Sequence, residues 1–421
     1  MKGRLLAALL VILMLAATLP AMARDRPAAL DFALGPHVAR AAPFASSSFV
    51  DAGGAEPSVL VDRVTGVVLE GDDLGVHRLD ATTGAWTDVT PLFIPGTIST
   101  PVVSGGISDG WALAQDAAGR VYTSTTDGPI VNVASTTDDG TTWTVLPGIV
   151  TRADGVTDRP WLATNGAGKV AVIDNALVGE ECSYSTDSGT TFLTSTIPFI
   201  NDLTPNAGSA SFDSAGHLYF AIAGSLQRWT TPCGGAIQTR ALPAQGAQIL
   251  TQAGVMDNDS IYVAQPTASN GKIQIVGFGS WTGAQKTLDV SLSNLSSNTF
   301  AAIAVAHDHL AVSWYGSTSS GDPSSSSFSG TWNVYVAQVR GFWNATPSVT
   351  VTQVTSAGNH AGWFCMGGTG CGVSSGSNDP RDLLDYQGVT FDAAGNVHLV
   401  YGQDDLTDNN PTVRYAVVPA S

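Results

Sequence analysis

Glutamate is nearly missing from this 421-residue chain, and so is lysine, yet the formal net charge is −17. Glu56, Glu70, Glu180 and Glu181 are the only glutamates, so the acidity is carried almost entirely by aspartate. A surface of that sign repels phosphate backbones, and with four lysines in all it argues against a nucleic-acid partner. Helical periodicity is scarce, which argues against a helix bundle or a layered α/β fold. The four cysteines include no CxxC pair, so a four-cysteine zinc site lacks its usual spacing. After the first twenty residues no apolar run approaches the length that spans a bilayer.

The first 23 residues do carry an apolar run, and its layout is that of a signal peptide. Lys2 and Arg4 precede Leu5 to Leu19, Pro20 ends the run, and Ala21-Met22-Ala23 supplies small residues for cleavage. Residues 24–46 are rich in Ala, Pro and Arg and read as a tether, leaving 47–421 as one folded domain. The product is expected to be secreted or held at the cell surface, with no membrane span after cleavage. In that compartment four cysteines read as two disulfides. Of the three possible pairings, the expected one joins Cys365 to Cys371 across a Met-Gly-Gly-Thr-Gly loop and leaves Cys182 for Cys233.

From about Phe44 onward, short β-branched or aromatic runs alternate with clusters of Gly, Asp, Asn, Ser and Thr. One unit recurs, an Asp/Asn-x-x-Gly turn or a looser version of it followed by an alternating strand. It begins at Asp62, Asp116, Asn165, Asp213, Asp257, His307 and Asp392. The side-chain carboxylate or amide bonds back to the turn, and Gly accepts the positive φ that reverses the chain. The spacing suits blades of four strands. The predicted fold is therefore all-β, a β-propeller of four-stranded antiparallel blades, seven in number with six as the alternative. Completion of the last blade by an N-terminal strand near Ser47 to Val50 is what leaves the count open between the two.

Two further stretches share a pattern: Thr136-Thr-Asp138-Asp-Gly140-Thr-Thr-Trp143 and Ser185-Thr-Asp187-Ser-Gly189-Thr-Thr-Phe192. Both match Ser/Thr-x-Asp-x-Gly-x-x-aromatic, and Asp80 to Trp86 is a degenerate third copy. These resemble the Asp-box, or BNR repeat, of the sialidase-like β-propellers, and the resemblance extends over nearly the whole mature chain. It implies structural work for these residues, with Asp capping a hairpin and the aromatic packing into the blade.

The same resemblance points to site residues. Asp158-Arg159-Pro160-Trp161-Leu162-Ala163 resembles an element that opens a blade in exported proteins of this kind, and Arg381-Asp-Leu-Leu-Asp385-Tyr386 resembles another. Tyr386, followed by its Asp392/Gly395 turn and a strand, is similar to the sialidase nucleophile. Arg159, Trp161, His360, Arg381 and Asp385 are the expected ligand-binding residues. A phenol is a poor nucleophile until a base takes its proton. In the family a Glu from a middle or later blade does this, but no Glu follows Glu181 here, and the Arg-Ile-Pro element is also missing. If Asp385 and Tyr386 share a strand, they face opposite sides.

No metal is expected as a ligand. His307, Asp308 and His309 lack a third partner at recognisable spacing, and Asp404, Asp405 and Asp408 lack the order of a calcium loop, which leaves a structural Ca²⁺ as the alternative. Three functions fit these residues. One is an exported propeller that binds an extracellular glycan or glycoconjugate without full sialidase chemistry. The second is an exo-sialidase-type glycoside hydrolase with Tyr386 as nucleophile, and the third is a cell-surface interaction scaffold.

Overall fold

The structure, a computed structural model, describes residues 48–421 apart from 53–54, 94–109, 128–129, 151–156, 177–178, 199–205, 223, 247, 249, 256–257, 269–270, 367–382, 384–385 and 405–410. The leader 1–23, the tether 24–46, Cys371, Arg381, Asp385, Asp405 and Asp408 lie outside the described residues.

Seven sheets, each with four antiparallel strands, make up the fold, and no helix occurs among the described residues; the short strand Asn206–Ala207 adds to the fifth sheet in parallel with Leu250–Val255. The first strands of the sheets are Ser58–Val61, Ala112–Gln115, Thr157–Thr164, Ala210–Phe212, Leu250–Val255, Ser297–Ala306 and Gly388–Phe391. Each contacts the first strand of the next sheet, and the last contacts the first, so the sheets form a closed ring of seven blades around an axis. The expected seven-bladed propeller is what forms.

The repeated turns at Asp62, Asp116, Asn165, Asp213, His307 and Asp392 join the first and second strands of a blade, and Asp257 lies outside the described residues. The Asp62 carboxylate accepts the N–H groups of Val64 and Thr65 at 2.6 and 2.9 Å. The Asp392 carboxylate accepts those of Ala394 and Asn396 at 2.9 and 2.8 Å. Gly395 closes that turn at φ 81°, a conformation that a Cβ disfavours.

Ring closure uses the chain's beginning. Ser48–Ala52 pairs antiparallel with Pro411–Val418, so the seventh blade takes its outermost strand from the N-terminal side and its other three from the C-terminal side. Val50 packs there with Val59, Val413 and Tyr415, which ties the first blade to the last. The Cys182–Cys233 disulfide forms as expected and links the third blade to the fourth. Cys365 is also disulfide-bonded.

The two Asp-box stretches are hydrogen-bonded turns between third and fourth strands. Thr136 Oγ1 accepts the Gly140 N–H at 3.1 Å, and Asp138 accepts Thr142 N–H and O–H at 2.8 and 2.7 Å. Ser185, Gly189, Asp187 and Thr191 repeat this arrangement at 2.8, 2.9 and 2.8 Å. These bonds favour the ionised carboxylate and hold both aspartates below their ordinary pKa. Trp143 donates from Nε1 to the Val89 carbonyl of the preceding blade at 2.6 Å. Phe192 packs beside the core shared by blades two and three.

Candidate functional site

In this topology a first strand starts, a second ends and a third starts at the same end of the propeller. All four glutamates lie there. Glu56 precedes the first strand of blade one, Glu70 falls in its second strand, and Glu180 and Glu181 open the third strand of blade three. None of the four is more than 1% exposed. Their scarcity in an aspartate-rich chain is the sequence signal that marks them.

Arg159 sits among these acids. It lies in the first strand of blade three, at a bulge between Asp158 and Trp161, with φ of 50°. Glu56 and Phe300, at the corresponding ends of the first strands in blades one and six, are also at positive φ, 55° and 53°. Non-glycine residues in that conformation cost about 1–3 kcal/mol and persist only where the surroundings impose them. Arg159 Nη1 pairs with Asp158 Oδ2 at 2.9 Å, and its Nε lies 3.7 Å from Glu56 Oε1. Arg159 is 6% exposed.

The aromatic half of the site comes from two blades distant in sequence. Trp161 and Tyr386 meet with ring centroids 4.7 Å apart and planes at 58°. Tyr386 precedes the first strand of blade seven, which starts at Gly388, and so does not lie on it. This corrects the expectation of a tyrosine on a strand, and with it the alternation argument that set Tyr386 opposite Asp385. The Tyr386 hydroxyl faces Gly110 so closely that a Cβ there would stand 2.2 Å from it, and 3.3 Å from the Cβ of Glu56. Gly110 therefore leaves the space in which the tyrosine hydroxyl approaches the main chain of Glu56, whose carbonyl oxygen would stand 2.8 Å from that Cβ. Trp161 Nε1 is buried without a hydrogen-bond partner.

Behind Arg159 stands a carboxyl pair. Burial pushes Asp174 up to about 7, with Glu181 adding repulsion, while Thr157 Oγ1 donates to it at 2.5 Å. Burial pushes Glu180 up to about 8, opposed by the Ala207 N–H and by Arg159, with Asp174 raising it further. With its amide turned to satisfy both ends, Asn175 donates to Glu180 at 2.6 and 2.7 Å. Burial thus favours the protonated form of both acids, and Glu180 holds its proton at neutral pH.

His360 has a different setting. Its Nδ1 is 3.2 Å from Asp404 Oδ2, both residues are buried, and the ring stacks on Phe364 with centroids 4.8 Å apart. The pairing joins an extension of blade six to blade seven, where the Asp404 N–H also donates to the Asn359 carbonyl at 2.9 Å. Trp314 and Tyr315 are fully buried core residues. His309 packs on Phe391, and burial together with Arg340 lowers it to about 4. The opposite end of the propeller carries a cavity of about 360 Å³, lined by Arg78, Asp80, Asp138, Asp139 and Thr141 of blades one and two. It belongs to the Asp-box turns and contains none of the residues that surround Arg159.

No protein-family model matches the sequence, and no curated protein is similar to it. Solved structures share its fold. The GH74 enzyme of Niastella koreensis superposes with a TM-score of 0.51 at 15% identity, over 87% of this chain and 55% of the enzyme. The chain thus spans about half the length of that structure. A Dyadobacter fermentans protein of unknown function gives 0.45 at 12% identity, over 89% of this chain and 98% of its own. YCF48 bound to D1 peptide gives 0.47 at 13% identity, over 88% and 96%. Likeness at such identity shows fold alone. Fold and strand order define the class, a β-propeller of seven four-stranded blades.

Proposed function

We propose that this chain is an extracellular propeller that binds a hydroxyl-rich glycan, uncharged or cationic, at the end where Arg159, Trp161 and Tyr386 meet, without sialidase chemistry. The observation that carries this reading is the state of Arg159. Its guanidinium is already paired with Asp158 and lies beside Glu56. A sialic acid carboxylate would have to displace those partners and would then stand beside the carboxylates of Asp158 and Glu56, which it leaves uncompensated. Like charges brought together in a desolvated site cost several kcal/mol. Hydroxyl and amino groups meet no such penalty, and an aromatic pair such as Trp161 and Tyr386 suits the apolar face of a sugar ring. The signal-peptide layout and the disulfide support an extracellular setting.

A glycan array probed with the purified chain tests the proposal. Neutral or amino-sugar glycans are expected to bind, with signal reduced by Trp161→Ala. Binding confined to sialylated glycans would overturn it.

One observation favours a second reading, a hydrolase with Tyr386 as nucleophile. The Tyr386 hydroxyl stands on the bare face of Gly110 beside the Glu56 main chain, which brings this first-blade acid into the neighbourhood of the tyrosine. In that reading Glu56 takes the phenol proton while Glu180, protonated at neutral pH, is a candidate donor to the leaving group.

A further inference from the structure

A separate group of side chains in blade one has the composition and spacing of a metal site. Glu70 and His77 are cross-strand partners in the second and third strands, and Asp72 stands in the turn between them. One donor atom from each lies within 4.8 Å of the other two, and His77 Nδ1 is 3.1 Å from Glu70 Oε2. Glu70 and Asp72 have no solvent exposure, and His77 is 7% exposed.

The turn holds the Asp72 carboxylate in one orientation. Its Oδ1 accepts the N–H groups of Leu74 and Gly75 at 2.8 and 3.1 Å. The turn itself is anchored on both sides, by Trp111 N–H to the Asp72 carbonyl at 3.1 Å and by Asp73 N–H to the Ala55 carbonyl at 3.1 Å. The second oxygen, Oδ2, has no hydrogen-bond partner among the described residues although Asp72 is fully buried. Two carboxylates brought out of water beside one imidazole are costly unless paired or bound to a cation. A fixed, unsatisfied carboxylate oxygen next to a second carboxylate and a ring nitrogen is a ligand set.

We propose that Glu70, Asp72 and His77 bind one divalent transition cation of the Mn²⁺ or Zn²⁺ class. Carboxylates suit Mn²⁺, and an imidazole admits Zn²⁺ as well. Ca²⁺ draws its ligands from oxygen alone, so the histidine disfavours it. Metal–ligand bonds of about 2.0–2.2 Å place adjacent donor atoms about 3 Å apart, which the 3.1 Å between His77 Nδ1 and Glu70 Oε2 matches. The cation would lock the turn that supports Ala55 and Trp111, the chain neighbours of Glu56 and Gly110. Its role is independent of which ligand the Arg159 site takes.

The test is calorimetric titration of MnCl₂ or ZnCl₂ into the EDTA-stripped full chain, beside Asp72→Asn. Asparagine keeps the Oδ1 acceptor that the turn requires, so the variant should fold. One ion per chain is expected, with affinity reduced at least tenfold in the variant. Absence of saturable binding, or equal affinity in Asp72→Asn, would overturn the site. Pulsed electron paramagnetic resonance of the Mn²⁺-loaded wild-type chain needs no variant. Coupling to the ¹⁴N of one imidazole is expected, and a bound Mn²⁺ without it would also overturn the proposal.

Discussion

Glu56 Oε1 lies 3.7 Å from Nε of Arg159, which joins the first and third blades through an ion pair that solvent hardly reaches. Charges so placed are held by their partners, and each becomes a liability once its partner is removed.

Arg159→Met should accordingly destabilise the fold by about 3–5 kcal/mol, because it leaves buried carboxylate uncompensated. Combining it with Glu56→Gln should restore part of the loss. Urea denaturation of the single and double variants measures both effects. Equal stability of wild type and Arg159→Met would mean that the ion pair contributes nothing.

Protonation of the carboxyl pair behind Arg159 makes stability depend on pH. Asp174 and Glu180 titrate near 7 and 8 in the folded chain, above their ordinary values of 3.8 and 4.5. The folded state therefore binds more protons than the unfolded state between about pH 4 and 8. The contribution from this pair is full below pH 4 and is lost as pH rises through 7 and 8. Glu180→Gln should flatten that decline, with a gain on the order of 4 kcal/mol at pH 9 relative to wild type. Thermal melting between pH 5 and 9 reads the slope directly.

Reduction, or a paired Cys182→Ala and Cys233→Ala replacement, should cost about 2–4 kcal/mol, since the bridge closes a loop with a sequence separation of 51. Melting with and without reductant measures the loss, and the double variant separates this bridge from that of Cys365.

Ring closure rests on the strand from Ser48 to Ala52. Val50→Asp would bury a carboxylate among Val59, Val413 and Tyr415, so it should lower stability by at least about 2 kcal/mol. Limited proteolysis should then cut first in the seventh blade. Unchanged cleavage would show that closure does not limit stability.

The architecture was legible in the sequence because each blade repeats one local device. Asp62, Asp116 and Asp392 each bond to their own turn within four residues, and such short-range chemistry leaves a visible pattern. The closing strand could also be read, since an alternating run near Ser48 had no partner of its own. The site was only partly legible. Arg159 and Trp161 sit in a recognisable segment, but Glu56 reaches them from the first blade and Tyr386 from the last. The ring brings these together, and nothing in local spacing records it. The positive φ at Arg159 has no glycine to mark it. Glu70, Asp72 and His77 escaped for a related reason, because a hairpin register aligns them at a spacing that no familiar metal motif uses.

The most direct test of the central claim is turnover of a fluorogenic sialoside by the purified chain, measured beside Tyr386→Phe and Glu56→Gln. The account predicts no turnover above the no-enzyme control for any of the three proteins, together with retained binding of neutral or amino-sugar glycans by the wild type. Sialoside hydrolysis that disappears in both variants would contradict it and would establish Tyr386 and Glu56 as a working nucleophile and base.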